Sequence, residues 1–126
     1  MIPISVLVAD DNKMVRDGIK RVLEEEPDIK FVGEASDFTE AAQAIESLKP
    51  QVVLLDMNMP GNLVHLRQAL EAHRDDTRVI VLSVFVDSSL DDFSREIGGF
   101  ASIDKMEIQE RLIPAIYSAA SSRLPN

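Results

Sequence analysis

A chain of 126 residues is the size of one domain, so a second catalytic or DNA-binding unit is not expected within it. Lys and Arg total 13 against 22 for Asp and Glu, a formal charge of −9, which disfavours a surface that neutralises duplex phosphates and makes a cation the natural counter-ion. No cysteine is present, excluding disulfide scaffolds and thiolate metal sites.

The chain opens with an apolar run, Ile4 to Ala9, that is too short for a secretory core and runs straight into Asp10 and Asp11. It reads as a strand. Val15, Ile19, Val22 and Leu23 then recur at helical spacing, with Asn12 or Asp11 as N-cap and Pro27 after the end. A second strand is expected at Phe31 to Ala35, followed by a helix striped with Phe38, Ala41, Ala42, Ile45 and Leu48 that stops before Pro50. The third strand, Gln51 to Leu55, and the fourth, Val79 to Ser83, are continuous apolar runs, the mark of strands covered on both faces. Leu63, Leu66 and Leu70 stripe the helix between them. Leu90, Phe93 and Ile97 give a fourth helix closed by Gly98-Gly99, and a weaker fifth strand is expected at Phe100 to Ile103. The last helix carries Ile108, Leu112, Ala115, Ile116 and Ala119; Pro114 requires it either to kink or to begin later than Glu107.

Strand followed by helix, five times over, predicts an α/β domain: a doubly wound, five-stranded parallel sheet with helices on both faces. The domain is expected over 1–121, with 122–126 as a tail or the start of a linker. No apolar run approaches a membrane span, and a soluble cytoplasmic protein is expected.

In such a sheet the ligand site lies beyond the carboxyl ends of the strands. The polar residues there are Asp10 and Asp11 after the first strand, Asp56 after the third, Ser83 at the fourth, and Asp104 and Lys105 at the fifth. Carboxylates meeting at that edge repel by about 4 kcal/mol per close pair at an intermediate effective dielectric. One lysine leaves three carboxylates two charges short of neutral, and hard oxygen ligands without His or Cys favour Mg²⁺ over zinc. Lys105 and the Ser83 hydroxyl are placed to hold phosphoryl oxygens, with Asp56 as the nucleophile forming an acyl phosphate.

This ordered set, with Asp56-Met57-Asn58-Met59-Pro60-Gly61 after the third strand, resembles the receiver domain of bacterial two-component response regulators over nearly the whole chain. Val15-Arg16-Asp17-Gly18-Ile19, Glu34-Ala35-Ser36-Asp37 and Val79-Ile80-Val81-Leu82-Ser83 are most similar to receivers that precede a LuxR-type helix-turn-helix. The resemblance implies a flavodoxin-like strand order of 2-1-3-4-5. It further implies phosphorylation of Asp56 by a histidine kinase or phosphotransfer protein, and Mg²⁺ held by Asp11 and Asp56 directly, by Asp10 through water, and by the backbone carbonyl of Asn58. Ser83 and Lys105 would bind phosphoryl oxygens. The signal would leave through the face of the fourth helix, fifth strand and fifth helix to a downstream protein target or a fused output domain, with a homodimer as a further implied partner state. The chain itself would bind neither nucleic acid nor membrane.

Three features depart from the family pattern. The switch position, where relatives carry Tyr or Phe, holds Ser102, leaving nearby Phe100 as a substitute or as core. After Pro60-Gly61 the loop reads Asn62-Leu63-Val64, with no further glycine to take a positive φ. Val84 follows Ser83 where relatives have a small residue, which would narrow access to Asp56.

Two other function classes compete with a phosphoacceptor. A receiver-like interaction module that is not phosphorylated would fit Ser102 and the altered loop. An aspartate-nucleophile phosphatase would need a second acidic residue two positions beyond Asp56, where Asn58 stands, so an autonomous enzyme is not expected. His65 and His73 lie two helical turns, about 12 Å, apart, too far to share a metal, and read as surface residues. Glu24 to Glu26, Asp75-Asp76 and Asp91-Asp92 read as solvated helix ends, and Met57 and Met59 as packing beside the site.

Overall fold

The computed structural model describes residues 2–84 and 88–122. Five strands alternate with five helices: β1 (Ile4–Ala9), α1 (Lys13–Glu24), β2 (Ile29–Ala35), α2 (Phe38–Leu48), β3 (Val52–Asp56), α3 (Leu63–Ala72), β4 (Arg78–Ser83), α4 (Ser88–Ile97), β5 (Ala101–Asp104) and α5 (Ile108–Ser121), with a 3₁₀ turn at Lys105–Glu107. All pairings are parallel, in the order β2-β1-β3-β4-β5. This is the doubly wound parallel sheet that the alternation of strand and helix patterns predicts, in the flavodoxin-like order that the family resemblance implies.

The continuous apolar runs bury as expected. Every residue of β3 is buried, and so is every residue of β4 after Arg78. Side chains alternate across the pleat into two cores. Leu7, Val53, Leu55 and Val81 pack against α2, α3 and α4; Val6, Val8, Leu54, Ile80 and Leu82 pack against α1 and α5. Met59 is buried in the first core and Met57 packs against it, as expected of side chains beside the site.

Helix ends follow local chemistry. Of the two N-cap candidates for α1, Asn12 takes the role, its side-chain oxygen accepting the Met14 and Val15 N–H groups, while Asp11 stays exposed. Asp37 and Asn62 cap α2 and α3 in the same way. The fifth helix begins at Ile108, after Glu107, and Pro114 nevertheless lies inside it, so the Glu110 carbonyl lacks its helical N–H partner.

Several boundaries differ from the sequence reading. β2 starts at Ile29, two residues early, because it is an edge strand in which Lys30 points to water and breaks the apolar run. β3 ends on Asp56 itself and β5 on Asp104, since a ladder counts backbone pairing whatever the side chain. Phe100 precedes β5 and is 41% exposed, so it neither substitutes on the strand nor belongs to the core. His65 is exposed as expected, whereas His73 is half-buried and lies 3.1 Å from Glu46 of α2. Of the tail expected over 122–126, residues 123–126 lie outside the described residues. Among the described residues no helix is long and apolar enough to cross a membrane.

Candidate functional site

The switch in strand order between β1 and β3 leaves a crevice at their carboxyl ends. Asp10 follows β1, and Asp56 closes β3. In each case the side chain folds back on its own loop: Asp10 Oδ1 accepts the Asn12 N–H at 2.9 Å, and Asp56 Oδ1 accepts the Asn58 N–H at 3.1 Å. These two short turns start the chain curling away from the sheet while holding each carboxylate at the strand tip. One oxygen from each of Asp10, Asp11 and Asp56 lies within 4.8 Å of the others. Asp10 is wholly buried, Asp56 retains only 5% of its side-chain exposure, and Asp11 is exposed, so the cluster opens to solvent on the Asp11 side.

Lys105 enters from the 3₁₀ turn after β5. Its Nζ lies 2.7 Å from Asp10 Oδ2 and 3.4 Å from Asp56 Oδ1. The turn that presents it is capped by Asp104, which accepts the Met106 N–H at 2.9 Å. Ser83, buried at the end of β4, stands one residue beyond Leu82, the partner of Asp56 in the β3–β4 ladder. The sequence thus placed Asp10, Asp11, Asp56, Ser83 and Lys105 at one edge, and the fold keeps them there. Ser102 is exposed on β5, opposite Val81. Val84 is 53% exposed.

Burial raises the Asp56 carboxyl above its ordinary pKa and the charge of Asp10 adds to this; the Asn58 N–H and Lys105 oppose the rise without cancelling it. Burial pulls the Lys105 ammonium down, but its contact with Asp10 and the charges of Asp56 and Asp10 outweigh that and raise it. Lys105 is therefore held charged, while Asp56 carries a penalty for its charge.

Whether a divalent ion suits these residues can be judged from Asp10. Its Oδ2 lies close to Lys105 Nζ, yet no hydrogen bond of good geometry reaches this fully buried atom. Among the described residues its one close cation is that ammonium, which also serves Asp56, so the buried negative charge of the pair is only partly offset. With Asp11 and Asp56, Asp10 makes a set of hard oxygen donors of the kind Mg²⁺ takes. The residues fit the ion.

The loop beside Asp56 is tied to α2. Phe38 N–H donates to the Pro60 carbonyl at 2.9 Å, and Asn62 N–H to Thr39 Oγ1 at 3.1 Å. Gly61 itself takes the positive φ, +111°, so the loop needs no later glycine.

Two residues of the site's surroundings were not singled out individually from the sequence. Arg16 of α1 donates through Nη1 to the Asp10 carbonyl at 2.7 Å and through Nε to Glu34 of β2 at 2.6 Å. Nothing local pairs residues this far apart in the chain, and their only sequence signal was the family-like stretches in which they sit.

The family model for the response regulator receiver domain matches residues 6–117. The chain belongs to this family. It is a receiver of two-component response regulators, a signalling module. The receiver is 34% identical over 125 residues to the nitrate/nitrite response regulator protein NarL of Escherichia coli K12, covering 97% of this chain and 57% of that protein. It is 32% identical over 118 residues to the transcriptional regulatory protein DegU of Brevibacillus brevis, covering 93% of this chain and 50% of that protein. The chain spans about half the length of the curated relatives it matches. Among solved structures, the signal receiver domain of a NarL response regulator from Mycobacterium tuberculosis superposes with a TM-score of 0.87 at 27% identity, covering 98% of this chain and 100% of that one.

Proposed function

We propose that this receiver accepts a phosphoryl group on Asp56 with Mg²⁺ as cofactor, taking it from a histidine kinase or phosphotransfer protein. The observation that carries the reading is the meeting of the Asp10, Asp11 and Asp56 oxygens within 4.8 Å, with Lys105 Nζ against two of them. With two of the three carboxylates buried, one ammonium leaves two negative charges that no other ion pair among the described residues offsets.

Mg²⁺, when bound, supplies the positive charge that lets the carboxylates coexist and that offsets charge on incoming phosphoryl oxygens. Asp10, Asp11, Asp56 and the Asn58 backbone carbonyl are the groups assigned to it. A carboxylate oxygen of Asp56 attacks phosphorus: the O–P bond forms, the N–P bond to the donor imidazole breaks, and the electron pair returns to that nitrogen. Lys105 and the Ser83 hydroxyl hold the phosphoryl oxygens, so any help the chain gives to its own phosphorylation and dephosphorylation comes from these two.

The signal then passes through the face formed by α4, β5 and α5 to a downstream protein or a fused output domain, with Ser102 at the switch position. The receiver unit is read as 1–121, with 122–126 leading away from it, and it works in the cytoplasm. The test is fluorine NMR with beryllofluoride and MgCl₂. Bound-fluoride signals that need Mg²⁺ and vanish in Asp56→Ala are expected; a wild-type chain without them, at millimolar Mg²⁺, would leave only a constitutive interaction module.

A further inference from the structure

Asp10 is fixed at more points than its side chain reveals. Its N–H donates to the Ala35 carbonyl of β2 at 3.0 Å, its Oδ1 accepts the Asn12 N–H, and its carbonyl accepts the Arg16 Nη1–H at 2.7 Å. Arg16 is one turn into α1, and its guanidinium turns back across that first turn to reach the end of β1. Only 14% of its side chain is exposed, and Nε is taken by Glu34 Oε1 at 2.6 Å. Glu34 is the residue before Ala35, so both grips on the Asp10 main chain, one direct and one through Arg16, come from the end of β2.

A planar guanidinium satisfies two acceptors through separate nitrogens, which an ammonium cannot do in the same fixed geometry. Without Arg16, a carbonyl at a buried strand end loses its charge-assisted donor, and the segment between Asp10 and Asn12 is held by one fewer bond. That segment carries Asp11, the exposed member of the acidic cluster, and its backbone sets how far the Asp11 carboxylate stands from Asp56.

We infer that Arg16, oriented by Glu34, is a positioning residue of the acidic site, clamping the Asp10 carbonyl so that the Asp10 and Asp11 carboxylates are set for a divalent ion opposite Asp56. The inference rests on the Mg²⁺ reading above. Partners that orient ligands from behind typically change metal affinity by 10- to 100-fold when removed.

The test is a titration of the 126-residue chain with MgCl₂, followed by backbone amide shifts in NMR, for the wild type, Arg16→Ala, Arg16→Lys, Glu34→Gln and the control Arg78→Ala. Arg78 also donates to a main-chain carbonyl, that of Arg74, but at the opposite edge of the sheet. Arg16→Ala is expected to weaken Mg²⁺ about tenfold, Arg16→Lys and Glu34→Gln less, and Arg78→Ala not at all, each in a chain whose amide spectrum remains dispersed. Arg16→Ala binding Mg²⁺ as tightly as the wild type overturns the inference, as does equal weakening in Arg78→Ala, which would mark a general loss of stability. A wild-type chain that does not respond to Mg²⁺ overturns the reading of the site, and this inference with it; the two failures are distinguished by the wild-type curve alone.

Discussion

Asp56 stands at the end of a strand in which every residue is buried, within reach of Asp10 and only 3.4 Å from the lysine that partly compensates it. Its carboxyl pKa is raised above the ordinary 3.8 by burial and by the neighbouring charge. A group whose folded-state pKa is raised binds more protons folded than unfolded, so it lowers stability as pH climbs from 3.8 through the raised value, and the cost is full above it. Asp56→Asn, nearly isosteric and uncharged, is therefore expected to stabilise the metal-free chain at neutral pH by about 1–2 kcal/mol and to flatten that part of the pH profile. Urea unfolding in EDTA, from pH 4 to 8, checks this; a less stable Asn variant at neutral pH would mean that Lys105 already satisfies the cluster. At this scale the sequence was informative because aspartates at the tips of buried strands cannot be ignored energetically. Arg16 and Glu34 were not legible, because a surface-type arginine shows its partners only after β2 has been laid beside β1.

Among the elements, β1, β3 and β4 could be read directly: runs of branched apolar residues have no stable place except between two helix layers. The edge strands were harder. β2 begins two residues earlier than its apolar run, and β5 is offset from the Phe100 that seemed to open it, because an edge strand with one partner needs less burial and carries a weaker pattern. The β3–α3 loop shows a different limit. The sequence pattern suggested that a positive-φ residue was missing beside Asp56, yet Gly61 fills that role at φ +111°. A Cβ built there would stand 2.8 Å from the Phe38 backbone nitrogen, the atom that bonds the Pro60 carbonyl. Gly61→Ala is thus strained by both conformation and contact, and is expected to destabilise by about 2–3 kcal/mol. Thermal unfolding measures it; a loss below a few tenths of a kcal/mol would show that the tie between this loop and α2 is slack.

Across the whole molecule, a net charge of −9 and a crevice of three carboxylates point the same way, toward a cation. The parallel topology explains why residues from positions 10 to 105 converge. Each βα unit returns the chain to the same starting edge, so each strand delivers its last residue to the same far edge. That convergence could be read from the sequence once the alternation was seen. What lay beyond it was depth: Asp10 is wholly buried while Asp11 is exposed, a difference set by the packing of α1 and β2. Intact-mass spectrometry after incubation with acetyl phosphate reads whether this crevice places a phosphoryl group on Asp56 with help from Mg²⁺. One added phosphoryl group is expected with MgCl₂, none with EDTA, and none in Asp56→Asn. An adduct of equal yield in EDTA, or one that persists in Asp56→Asn, would contradict that expectation.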